Sequence, residues 1–194
     1  MNAASPMRTF NPRRVAYYEK ENYVAYYQKR WLRLLRISVG MVKEAFGLSW
    51  WQAIYAAYLV ARAEIAFAPI PRNNVPLAEA YMRRFYAFIG KVHGEAFDVE
   101  QAARTEVNWW IVHRKLFANP ENQELVDALA AQYAAAYGLQ PAQVREAAYH
   151  RAQAMLCSDQ WVNAGRPANS PLLAQEEDEL IKAYTALREA VERK

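Results

Sequence analysis

Cysteine occurs once in the chain, at Cys157, so no internal disulfide can form and the sequence suits a reducing, cytoplasmic setting. Glycine is scarce, with 6 residues in 194, and alternating β-branched runs are absent, which leaves little room for a sheet. Paired-cysteine metal motifs, Gly-rich phosphate loops and internal repeats are also missing. Met1 to Pro12 has no apolar stretch of the kind a secretory leader needs. What remains is alanine-rich periodic sequence, its 9 prolines lying between the periodic runs. This predicts an all-α fold, and the length suits a single domain with a sizeable core.

The longest apolar stretch is Leu48 to Ala68, LSWWQAIYAAYLVARAEIAFA, interrupted by only two formal charges, Arg62 and Glu64. A helix apolar on every side calls for neighbours on every side, so this segment is expected to be the central helix of a bundle of about seven. Gln52, Arg62 and Glu64, with a mean hydropathy of −0.28, argue against a membrane span, and no membrane partner is expected. Two charges inside such a rod need partners, which makes Arg62 a candidate substrate clamp and Glu64 a candidate proton acceptor.

Residues 1–12 lack periodicity and are expected to be a flexible arm, with the helical domain spanning residues 13–194. The net charge of +4 is uneven: residues 1–47 hold nine Lys/Arg against three acids, and residues 171–194 hold four against six. An amphipathic helix is predicted from Arg13 to Phe46, broken near Asn22 or Gly40. Its first half is crowded with Tyr17, Tyr18, Tyr23, Tyr26, Tyr27 and Trp31, rings with polar tips that suit a partly wet contact, and a homodimer is the modest inference. No reading motif for nucleic acid accompanies them, so none is expected as a partner.

Gly47 and Gly138 mark helix ends, while Ser49, Asn74 with Pro76, Asp98, and Ser170 with Pro171 mark starts. In the helix from Val99 to Phe117, the residues Val99, Ala103, Glu106, Trp110, His113 and Phe117 form one stripe. From Pro141 onward, Glu146, His150, Ala154, Cys157 and Trp161 fall on one face, displaying a second carboxylate and imidazole pair one turn apart. Carboxylates and imidazoles converging in a bundle are the donor set of non-haem iron or manganese, so Glu106, His113, Glu146 and His150 are candidate ligands. A metal-free ligand pocket, walled by Trp110, Tyr149 and Cys157, and a self-satisfied structural network are the other readings. The iron signature places Glu and His three apart, and the spacings here are seven and four.

The run YGLQPAQVREAAYH, Tyr137 to His150, resembles a stretch of the haem-oxygenase-like helical superfamily, which includes thiaminase-II-like proteins, pyrroloquinoline-quinone synthase relatives and di-iron oxidases. There a Tyr-Gly turn leads into a late helix whose histidine, matched by His150, is followed by an acid four residues on and a second histidine seven on. Ala154 and Cys157 stand at those positions here. Glu106 and His113 are similar to a Glu and His spaced by seven on an earlier metal-binding helix of some members. The resemblance implies a seven-helix bundle around a central pocket. The expected function is a small-molecule-binding enzyme, oxidative chemistry included among its options. The alternative is a non-catalytic interaction or scaffold protein.

Overall fold

Eight α-helices follow one another in the computed structural model, which describes residues 5–193. They are α1 (Pro12–Tyr27), α2 (Trp31–Phe46), α3 (Trp50–Phe67), α4 (Val75–His93), α5 (Val99–Lys115), α6 (Gln123–Tyr137), α7 (Arg145–Asn163) and α8 (Pro171–Glu192). No strand occurs among the described residues. Each helix packs on the next in the chain, and α8 returns to pack on α1, closing the series into a ring. Short connections make sequential helices neighbours, and the closure brings the first and last helices together.

The local chemistry sets most boundaries. Asn11, Asn74 and Asp98 each accept a backbone N–H from three residues on, at 3.2, 3.0 and 3.0 Å, satisfying donors a helix start leaves open. Gly47, Gly94 and Gly138 end α2, α4 and α6 in the left-handed conformation. The expected single helix from Arg13 to Phe46 is two. The break falls at Lys29, whose φ is 56°, rather than at Asn22 or Gly40. Gly40 stays helical because α1 crosses there: a Cβ on it would lie 2.7 Å from the Tyr18 ring.

Residues 5–12 are not an arm. Met7 and Phe10 are buried, at 1% and 3% exposure, each contributing roughly 1.5–3 kcal/mol by area. Arg8 donates to both oxygens of Glu95, at 2.9 and 2.8 Å, and to the Tyr137 carbonyl at 3.2 Å. These contacts tie the segment to the α4–α5 connection and to α6; residues 1–4 lie outside the described residues.

The expected central helix is also placed differently. Ala53, Ala56, Leu59, Ala63 and Phe67 of α3 are buried, but Trp50, Trp51, Tyr58 and Ile65 are exposed. Its packing partners are α2 and α4, so only one side is covered. The enclosed element is α6: from Ala128 to Tyr137 every residue except Ala131 is buried, and only Gln123, Glu124 and Asp127 of its first turns are exposed. Its alanines let α5 and α7 close on it from both sides. No helix among the described residues is long and apolar enough to cross a membrane.

Candidate functional site

α1, α5, α7 and α8 meet around a cavity of about 130 Å³ lined by Glu19, Tyr23, Trp109, His113, Met155 and Glu176, among others. Two sets of polar contacts frame it. Arg151, on the buried side of α7, donates from Nε to Glu19 Oε1 at 2.9 Å, and the Tyr184 hydroxyl donates to Glu19 Oε2. The guanidinium also lies over the Trp109 ring, 4.9 Å from its centroid. Burial opposes the Arg151 charge, but Glu19 leads the groups that favour it, and the net direction of its pKa is upward.

In the second set Asp159, at 2% exposure, accepts from three directions. Tyr23 donates its hydroxyl to Oδ1 at 2.7 Å, while the Ala118 N–H and His113 Nε2 reach Oδ2 at 2.9 and 3.0 Å. An acceptor-only carboxylate holds a proton on His113 Nε2, which makes Nδ1 the ring nitrogen open to proton exchange. Burial raises the Tyr23 hydroxyl, with Asp159 the next cause, so Tyr23 remains a donor.

Glu176, also at 2% exposure, is the least satisfied group in the wall. Its Oε2 has no hydrogen-bond partner among the described residues. Burial pushes its carboxyl up to about 8, with the Ser158 hydroxyl pulling the other way. At neutral pH it is mostly an uncharged acid able to donate a proton.

The residues singled out from sequence have separate surroundings. Glu106 accepts from Tyr86 at 2.6 Å and from Trp109 Nε1 at 2.9 Å. His113 meets Asp159, as above. His150 Nδ1 lies 2.7 Å from Glu179 Oε2 on α8, not beside Glu146, which is exposed. Among the described residues no group of three or more His, Cys, Asp and Glu is placed to hold a metal ion. The Glu106, His113, Glu146 and His150 set therefore does not fit an iron or manganese centre.

Trp110 packs in the core against Phe67, with ring centroids 5.5 Å apart, and Tyr149 is half exposed. Burial raises the Cys157 thiol, followed by Glu176 and Glu179, which keeps it from being an activated thiolate. Arg62 is exposed on α3, donating to the Tyr58 hydroxyl at 3.0 Å and lying over the Tyr81 ring. Glu64 is exposed as well; local burial and then Glu106 push its carboxyl upward, an effect that contact with water moderates. Neither Arg62 nor Glu64 lines the cavity.

The framing residues Glu19, Arg151, Asp159 and Glu176 were not singled out from sequence. A signal existed for Glu176, which sits on the apolar stripe Leu180, Tyr184, Leu187 and Val191 of α8 at a spacing of four. In α7 the buried face runs through Ala148, Arg151, Ala152, Met155, Ser158 and Asp159, turned from the stripe centred on His150. Alanine appears on both sides of that helix, so it does not mark which side is inside. No protein-family model matches the chain, and neither a curated protein nor a solved structure is significantly similar to it.

Proposed function

We propose that this protein is a small-molecule-binding enzyme that moves protons on an uncharged carbonyl compound held between α1, α5, α7 and α8. The observation that carries this reading is Glu176, a buried acid with an unpartnered oxygen in the wall of a cavity that His113, held by Asp159, also lines. A cavity of about 150 Å³ admits a molecule of benzene size, so this one suits a ligand of about six heavy atoms. His113 Nδ1 takes a proton from the carbon next to the carbonyl, and Glu176 gives its proton to the carbonyl oxygen. The products are an enol, a Glu176 carboxylate and a protonated His113, with no oxidant or reductant consumed. Asp159 orients His113 and stabilises its protonated form, as an acid beside a catalytic imidazole does.

Cyclopentanone in D₂O is the probe. The wild-type protein is expected to exchange the α-hydrogens faster than buffer, as read by NMR. Glu176→Gln and His113→Ala should each lower the rate by roughly a hundredfold. Ala154→Leu, which fills the cavity, should abolish it. The rate should fall as pH rises through about 8, where Glu176 loses its proton. Exchange no faster than buffer, or unaffected by Ala154→Leu, overturns the reading and leaves the polar framework as a structural network.

A further inference from the structure

Far from the cavity, the outward sides of α2 and α3 carry large apolar groups that none of the described residues covers. α2 presents Trp31, Leu32 and Leu35, with Leu32 at 86% exposure; α3 presents Trp50, Trp51 and Ile54, with Trp51 at 83%. Soluble proteins rarely leave an apolar patch of more than a few hundred Å² in water. The charges around it are mostly basic, although Arg33 is paired with Glu21. Between Lys29 and Phe67 there are six Lys/Arg and two acids. Glu44 is drawn to Arg14 at 3.2 Å, and Glu64 lies about half a turn around α3 from Trp51 and Arg62, on the side that meets Glu106. Arg36 is exposed beside Leu32, Lys43 lies 5.4 Å from the Trp50 ring centroid, and Arg62 stands in the exposed row of α3.

We infer that the α2–α3 face binds the surface of an anionic phospholipid membrane, lying in the interfacial plane. The chemistry of the three layers matches. Leucine and isoleucine enter the acyl boundary, tryptophan rings prefer the headgroup level, and long basic side chains keep their apolar stems down while their charges reach lipid phosphates. A second copy of the chain is disfavoured because a two-fold contact sets Arg36, Lys43 and Arg62 against a patch where cations outnumber acids six to two. A helix pair lying in this plane needs no spanning segment.

The experiment is co-sedimentation with vesicles of phosphatidylcholine alone and of phosphatidylcholine with about one-third phosphatidylglycerol. The full chain is expected to bind the anionic vesicles at least roughly tenfold more tightly, less so at high salt, with a blue shift in tryptophan emission. Leu32→Glu with Trp51→Glu should lose that binding while keeping the wild-type circular dichroism. If that pair fails to fold, Arg36→Gln with Lys43→Gln should still weaken binding to the anionic vesicles alone. Equal affinity for both vesicles, or no binding to either, overturns the inference. So does a wild-type dimer that Trp51→Glu converts to monomer, since the face is then occupied by a second copy.

Discussion

The α1–α5–α7–α8 side and the α2–α3 side of the ring invert the usual arrangement. One encloses Arg151, Glu19, Asp159 and Glu176; the other leaves Trp51, Leu32 and Ile65 in water. Both cost free energy to the isolated chain, for opposite reasons. Buried charges give up hydration and recover it only through exact partners, whereas exposed apolar groups forgo burial they would gain elsewhere. The interior side is therefore sensitive to substitution and the exterior side indifferent, unless something binds there. That contrast can be measured.

The largest effect is expected at the ion pair. Arg151→Leu leaves Glu19, still 16% exposed at its side chain, with only Tyr184 donating to it, and should destabilise by about 2–4 kcal/mol in chemical denaturation. Adding Glu19→Gln should return a good part of that loss, because the uncompensated charge goes with it. Next is Glu176. Its carboxyl titrates near 8 in the folded protein, against 4.5 as the ordinary value. The folded state thus holds a proton that the unfolded chain has already released across that window. The contribution of Glu176 to stability is fullest below about pH 4.5 and falls as pH rises to about 8, at up to roughly 1.4 kcal/mol per unit. Glu176→Gln should flatten that slope and make the variant the more stable protein at pH 9, by a few kcal/mol on the order of the same linkage. Parallel pH profiles for the two proteins would remove Glu176 from the account.

Smaller again is Asp159→Asn. An amide cannot accept equally from Tyr23, Ala118 and His113, so about 1–3 kcal/mol should be lost. The His113 tautomer should become mixed in ¹⁵N spectra, which a change in packing alone does not produce.

How far these two sides were legible in the sequence follows from the same physics. Helix starts and stops at Gly47, Asn74, Asp98, Gly138 and Ser170 are local events with local chemistry, and the all-α fold with its succession of helices could be read from them. The enclosure of α6 rather than α3 could not. Apolar character says what a helix could bury, not whether a neighbour arrives, and the ring gives α3 neighbours on one side only. Partner choice was equally hidden. Glu106 and His113 occupy one stripe, yet they bond to Tyr86 and to Asp159 on different helices. His150 took Glu179 from α8 rather than Glu146 from its own helix, because i,i+4 spacing brings side chains near without forbidding a better partner across the interface.

The smallest expected effect tests the exterior side. Trp51→Gln removes the most exposed ring of α3, one that contributes little to the fold because most of its surface stays in water. Stability in urea should change by no more than about 0.5 kcal/mol, whereas solubility at high concentration should rise. If the fold instead loses several kcal/mol, as buried aromatics do on truncation, Trp51 is covered in solution and the outward side of α3 is an interior surface of some larger assembly. A null result on stability with a gain in solubility keeps the two sides of the molecule as opposite as they look, one held together by what it buries and the other available for what it meets.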